Sequence, residues 1–151
     1  MFTYTMINDN KFELSDGISY KTLMNGTEEM AINMVATKNS AIFEENKQVK
    51  IKELQDKYQS EYNAYLAKYP KREVESFDDK KREALAYNAD NSASTPLVDA
   101  MVGGDADLRI EMLNSILEKI FYVAAQEGMM VATRDAIKAC KTVDELNDIK
   151  L

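Results

Sequence analysis

Apolar and polar residues alternate at the start of the chain. Phe2, Tyr4 and Met6 fall on one face of an extended segment, and the Asn-Asp-Asn run that follows is typical of a turn. The pattern predicts a short β-hairpin over residues 2–14, followed by a loop up to residue 26. Because two strands alone are only marginally stable in water, we expect the hairpin to pack on helices or on another chain.

A helical pattern begins at Thr27, the expected N-cap, because acidic residues follow it in the first turn. No Gly or Pro occurs from there until Pro70. This interval predicts one long helix of about 40 residues, roughly 60 Å at 1.5 Å per residue. Its second half carries apolar residues at steps of three or four, which predict an amphipathic stripe: Ile51, Leu54, Tyr58, Tyr62, Tyr65 and Tyr69.

Two shorter helices are predicted next. Ser76 is the expected N-cap of the first, over residues 77–90. Thr95 is expected to cap the second, in which Pro96 takes the first helical position. The glycine pair that starts at Gly103 is expected to end this helix.

The strongest amphipathic pattern lies in a helix that begins at Asp105 or Asp107 and runs to about Gln126. Gly128 suits the C′ position after its end. The apolar face of this helix is expected to form the C-terminal core: Leu113, Ile116, Leu117, Ile120 and Phe121.

A further helix is predicted over residues 129–140, and Thr142 with Glu145 forms a capping box for a last turn. The elements together predict a mainly α fold: a short N-terminal β-hairpin, one long amphipathic helix and a C-terminal bundle of four to five shorter helices. The predicted divisions of the chain are an N-terminal hairpin and loop, residues 1–26, a long helix, residues 27–70, and a C-terminal helical domain, residues 71–151.

Composition narrows the classes of function. Hydrophobic residues make up 45% of the chain and charged residues 30%, as in soluble globular proteins. The net charge of −7 disfavours binding to nucleic acid or to an anionic membrane surface. Solubility is the simplest reason for such a charge, and mimicry of nucleic acid towards a basic partner is the functional alternative. No apolar run approaches the roughly 20 residues of a membrane span, and we expect no signal peptide.

No cofactor, metal or catalytic site is predicted. The chain has no histidine, which removes His-based triads, and its one cysteine, Cys140, excludes an internal disulfide. Cys140 is expected to be a small buried hydrophobe on a helix. The acidic residues Asp105, Asp107 and Glu111 lack the spacing of a calcium loop and suit the start of a helix. We therefore expect a protein that is not an enzyme.

The candidate functional residues are apolar positions that the chain is too short to cover completely. Exposed apolar patches of this extent usually mark an interface, so we expect self-association or a stable complex. Half-buried packing is the commoner role of tyrosines at helical spacing, and core filling is the commoner role of methionines. The candidate interface consists of Ile51, Leu54, Tyr58, Tyr62, Tyr65, Met129 and Met130.

The predicted elements of residues 74–149 follow a characteristic order. A helix that begins with an aromatic residue and is rich in Ala and Glu is followed by a loop of small polar residues that ends in Thr-Pro. A short apolar helix, a longer helix and a final pair of helices come next, and the pair ends with a Thr-x-x-Glu-Leu cap. This order resembles a segment of bacteriophage tail proteins, although Phe77 stands where that family usually has Trp. The positions that carry the resemblance are Phe77, Ala84, Thr95, Pro96, Leu97, Thr142, Glu145 and Leu146.

The resemblance implies a non-enzymatic virion protein, either a structural connector of the tail or fibre or an assembly factor. It would act through protein–protein contacts with other virion proteins or with a second copy of itself, in the virion or the host cytoplasm. The alternative is a small acidic phage inhibitor of a host or defence protein. A monomer that captures a host protein tightly would favour this alternative.

Overall fold

The computed structural model describes all 151 residues and has a mainly α-helical fold with one small N-terminal sheet. The predicted fold class is therefore confirmed, including the long helix and the series of shorter helices after it. The elements in chain order are β1 Thr3–Asn8, β2 Lys11–Ser15, β3 Lys21–Asn25, α1 Glu28–Leu66, α2 Lys71–Glu75, α3 Phe77–Ala89, α4 Pro96–Val102, α5 Ala106–Ala139 and α6 Val143–Asp148.

The chain folds into two compact units, and α1 and α5 each contribute residues to both. Unit 1 consists of Met1–Glu53 and Asp135–Leu151, and unit 2 is Leu54–Arg134. The division between the units falls inside the two longest helices, whereas the divisions expected from the sequence fall between elements.

The sheet of unit 1 has the strand order β1-β2-β3, and both pairs are antiparallel. Its inner face packs on the start of α1, where Phe12, Leu14 and Ala31 are fully buried. Partly buried side chains complete this cluster, and they include the three residues predicted to share a face: Phe2, Tyr4 and Met6. The expectation that the N-terminal strands pack on a helix is confirmed.

Residues 21–25 form β3, so the prediction of a loop over this segment is wrong. Met24 is in register with Phe12 of β2, which brings it onto the buried face. The turn before β3 is closed by one carboxylate oxygen of Asp16, which accepts hydrogen bonds of 2.9 Å from three backbone amides: Ile18, Ser19 and Tyr20. Such a turn has no two-residue hairpin signature, and β3 itself has only two apolar residues, so the local pattern was weak.

The other end of unit 1 joins α1 to the C-terminal residues. Lys50 of α1 donates a hydrogen bond of 2.5 Å to the carbonyl of Leu146, and Lys47 donates one of 3.4 Å to the carbonyl of Lys138. The predicted cap of α6 is confirmed, because Thr142 Oγ1 accepts from the amide of Glu145 at 3.2 Å. Cys140 is buried, as expected.

The core of unit 2 joins α3, α4 and α5. Ala84, Val98 and Leu113 are fully buried there, and Leu117 is nearly so. Of the predicted C-terminal core, Ile116 and Ile120 pack against this cluster. Phe121 was expected to join them but is 58% exposed, because the buried face of α5 is narrower than its apolar face.

The prediction that a helix ends before Gly128 and a new one begins after it is wrong. α5 runs without interruption from Ala106 to Ala139, and Gly128 has no left-handed backbone conformation. A glycine inside a helix costs only about 1 kcal/mol relative to Ala, so it does not by itself end a helix. Gly103, by contrast, ends α4 in the left-handed conformation at φ +65°, as predicted.

Ser76 and Thr95 stand at the predicted N-cap positions of α3 and α4, but neither side chain makes the capping hydrogen bond that was expected. The hydroxyl of Ser76 donates to the carbonyl of Glu73 at 2.9 Å and makes no cap for α3. Thr95 Oγ1 makes no cap for α4; it is buried and has no hydrogen-bond partner. The carboxylate of Glu83 in α3 takes its place, since it accepts from the first free amides of α4.

Candidate functional site

A groove of about 350 Å³ opens on the surface of unit 2. We call it the tyrosine groove, because Tyr62 and Tyr65 of α1 form part of its wall. Its apolar lining residues lie mainly on α5 and are called its floor, and α2 and α3 supply further lining residues. The principal lining residues are Tyr62, Tyr65, Leu66, Phe77, Lys80, Met112, Ile116, Lys119, Ile120 and Val123.

An aromatic cluster fixes the wall of the tyrosine groove. The ring of Tyr65 lies 5.7 Å from that of Tyr122 and 5.5 Å from that of Tyr69, between ring centroids. Tyr69 in turn contacts Phe77 edge to face at 5.3 Å. Ring pairs at these distances contribute about 0.5–1.5 kcal/mol each beyond the area they bury. The wall is therefore held in place by contacts among α1, α3 and α5.

Two tyrosines of α1 have a pKa above the ordinary value. Burial, followed by the hydrogen bond with Tyr69, raises the pKa of Tyr65 to about 12. Burial also raises the pKa of Tyr58, and the negative charge of Glu127 adds to the effect. The raised pKa favours the neutral phenol of both residues, whose hydroxyl can donate or accept a hydrogen bond, so these residues suit binding.

Charged groups of both signs surround the apolar floor. The lysines are Lys80, Lys81 and Lys119, and the acids are Glu73, Asp78 and Glu127. The ammonium group of Lys119 lies 4.8 Å from the centre of the Tyr69 ring, and that of Lys80 lies 5.8 Å from the centre of the Phe77 ring. None of the six side chains forms an ion pair.

The structure places the predicted interface residues in three settings. Tyr62 and Tyr65 line the tyrosine groove, and together with Tyr58 they also line a smaller pocket of about 40 Å³ against Tyr122. Ile51 in unit 1 and Leu54 in unit 2 are covered by the chain itself, at 7% and 8% exposed. Both methionines lie on α5 outside the groove, with Met129 exposed and Met130 half-buried.

Several groove residues were not among the predicted site residues. Ile116 and Ile120 were assigned to the core, and they do pack against it while one side remains open to the groove. Lys80 was one of several charged residues in a helix, and no local feature distinguishes it from Lys81. Only the packing of α3 beside α5 shows which of these two lysines is buried.

The chain has no cluster of three or more Cys, Asp or Glu side chains suited to hold a metal ion. None of its helices has both the length and the apolar character that crossing a membrane requires. Comparison of the chain with protein-family models, with curated proteins and with solved structures gives no match.

Proposed function

We propose that this chain is a non-enzymatic bacteriophage virion protein, a tail or fibre connector or an assembly factor, that binds other virion proteins through the tyrosine groove. The resemblance of residues 74–149 to phage tail proteins supports the biological setting. The groove supports the mode of action, because it lies within those residues and the end of α1. The proposal assigns no chemical step to the protein.

One observation supports the proposal most strongly: the apolar floor of the groove is not covered by the chain, and the aromatic wall beside it is held by ring contacts. Large exposed apolar patches on soluble proteins usually mark binding sites. Tyr62 is 37% exposed at the edge of the groove, and tyrosine is enriched where proteins meet because its ring is apolar and its hydroxyl can stay hydrated. The floor thus offers apolar contact, and the edge offers hydrogen bonds.

The dimensions of the groove suit a segment of polypeptide. Its lining residues on α5 extend from Met112 to Glu127, which is roughly 22 Å along the helix axis at 1.5 Å per residue. A partner helix laid into such a groove would place apolar residues at helical spacing on the floor. A connector or assembly factor would use the groove to hold one segment of a tail protein.

Co-expression with phage tail and fibre proteins tests this proposal. The chain should co-elute with one of them in size-exclusion chromatography, and Tyr62→Lys should abolish the complex because it places a charge at the edge of the apolar floor. Phe121→Lys is the matched control, since Phe121 is exposed on α5 but does not line the groove. A chain that binds no tail protein and forms a tight complex with a host protein would support the inhibitor alternative instead.

A further inference from the structure

Most of the Lys80 side chain in α3 is buried, and its ammonium group has no partner of opposite charge in the chain. Its side chain is 7% exposed and lines the tyrosine groove. It makes no ion pair and no hydrogen bond, and its one contact with a polarisable group is the ring of Phe77 at 5.8 Å. Buried charges in proteins are normally paired, because an ammonium group loses its hydration when it is covered.

A second buried lysine of the chain, Lys47, has oxygen partners for its ammonium group and serves as a comparison. Lys47 in unit 1 is also 7% exposed, but its ammonium group lies 3.1 Å from the carboxylate of Glu44 and 3.4 Å from the carbonyl oxygen of Lys138. At equal burial, therefore, Lys47 has two oxygen partners and Lys80 has none. The difference identifies Lys80 as a group that a ligand can satisfy.

We propose that the occupant of the tyrosine groove is an acidic amphipathic segment of a partner protein, whose carboxylate pairs with Lys80 while its apolar side chains cover Ile116 and Ile120. The protein nature of the occupant rests on the function proposed above. The carboxylate follows from charge complementarity, because an occupant of the groove would cover the Lys80 ammonium, and an ion pair covered from water is worth more than an exposed one. The three acids that line the groove are at most half-buried, so they keep more of their hydration and gain less from a new partner.

The neighbours of Lys80 define the spacing that the partner must match. Phe77 lies one helical turn before it in α3, and Ile116 and Ile120 lie one turn apart on α5. A helix with two apolar residues three or four positions apart and an acid beside them presents this combination on one face. The groove extends roughly 22 Å along α5 at 1.5 Å per residue and is bounded by the exposed Tyr62 and by charges of both signs, which favours such a segment over a small amphiphile.

A peptide selection on the full chain tests the proposal. The probes are displayed random peptides about 15 residues long, the length that spans roughly 22 Å as a helix. Selected peptides should carry an acid next to apolar residues at helical spacing. Their affinity should fall at least about tenfold for Lys80→Met, corresponding to about 1.4 kcal/mol. Lys71→Met, at an exposed position of α2 that does not line the groove, should leave the affinity nearly unchanged.

A second comparison does not depend on the folding of the variant. Replacing the selected acid of the peptide by its amide should weaken binding to the unaltered chain by the same factor. In a separate comparison, the Lys80→Arg variant should retain much of the affinity that Lys80→Met loses. Circular dichroism melts check that each variant is folded. Selection of no peptide, or of peptides that bind the chain and Lys80→Met equally, would overturn the proposal.

Two further outcomes separate this inference from the function on which it rests. If laurate binds in a Lys80-dependent manner and no peptide does, the groove takes a small amphiphilic carboxylate and the partner-segment proposal is wrong. If a tail protein binds the chain and Lys80→Met equally well, the proposed function stands and the inference fails. Acidic peptides that need Lys80, without any complex with tail proteins, would support the inference and remove the tail role.

Discussion

The carboxylate of Glu83, in α3, accepts a hydrogen bond of 3.0 Å from the backbone amide of Val98, in α4, across a separation of 15 residues. The other carboxylate oxygen accepts from the amide of Leu97 at 2.9 Å. One side chain thus satisfies two of the amides that the start of α4 leaves free, and it does so with a charge that the helix dipole favours. Because Val98 and Ala84 are both fully buried, the contact fixes α4 within the core of unit 2.

Replacing Glu83 tests this relationship. An amide side chain can accept only one of the two hydrogen bonds and turns a donor towards the other amide. Glu83→Gln should therefore lower the free energy of unfolding by about 1–3 kcal/mol, the range for a buried group left without a partner. Urea unfolding measures the change, and Glu75→Gln, at an exposed position in α2, is the control expected to stay within about 0.5 kcal/mol. Equal effects of the two substitutions would contradict the long-range cap.

A second prediction concerns Thr95, whose hydroxyl is buried without a partner. Thr95→Val keeps the shape and removes the unpaired group, so the free energy of unfolding should rise by about 1 kcal/mol. If the hydroxyl of Thr95 made a capping hydrogen bond to α4, the same substitution would instead cost about 1 kcal/mol. A thermal melt decides between these outcomes by the sign of the change.

The sequence predicts those features that depend on neighbouring residues. The long α1, the N-cap at Thr142 and the left-handed Gly103 all follow from spacing or from conformational preference within a few positions, although the Glu145 carboxylate accepts from the amide of Lys141 and not from that of Thr142. Glu83 could not be identified as a cap in this way, because its partners lie 14 and 15 residues away and become neighbours only when α3 and α4 pack.

The residues of the candidate site also fall into those that the local sequence pattern predicted and those that it did not. Tyr62 and Tyr65 were named from their helical stripe, and both line the groove. Lys80 was not predicted, since its sequence context matches that of the exposed Lys81, and the α5 residues that line the groove with it lie more than 30 positions away. Local pattern identifies apolar stripes, whereas the identity of the covering element depends on tertiary packing.

A pair of glycines tests the continuity of α5. A methyl group at Gly128 would meet nothing within 4 Å, and the residue is helical, so Gly128→Ala should stabilise the protein by about 1 kcal/mol. Gly103→Ala is the matched comparison, because the space there is equally open but φ is +65°. It should destabilise by about 1–2 kcal/mol, the cost of a left-handed backbone for an L-residue. Destabilisation at Gly128 would instead favour a helix end at that position.

The turn before β3 should respond to acid through Asp16. Its hydrogen bonds to the backbone, first with Tyr20 and then with Ile18, lower the pKa of the carboxyl from 3.8 to about 2. Because the folded-state pKa lies below the unfolded one, the stabilising contribution is present above about pH 4 and is lost as pH falls through about 2. The Asp16 carboxyl carbon and the amide of Tyr20, followed by NMR from about pH 5 downwards, should titrate together near pH 2. A midpoint near the ordinary value, or no response of the Tyr20 amide, would contradict this turn.

The central claim is that the tyrosine groove holds a virion protein, and photo-cross-linking in cells that produce the phage tests it most directly. A photoreactive phenylalanine in place of Tyr62 lies at the edge of the groove, and the same residue in place of Phe121 lies outside it. Mass spectrometry should identify a tail or fibre protein joined to position 62, through a segment with an acid among apolar residues, and no such product from position 121. A host protein as the sole partner at position 62, or identical products from both positions, would contradict the claim.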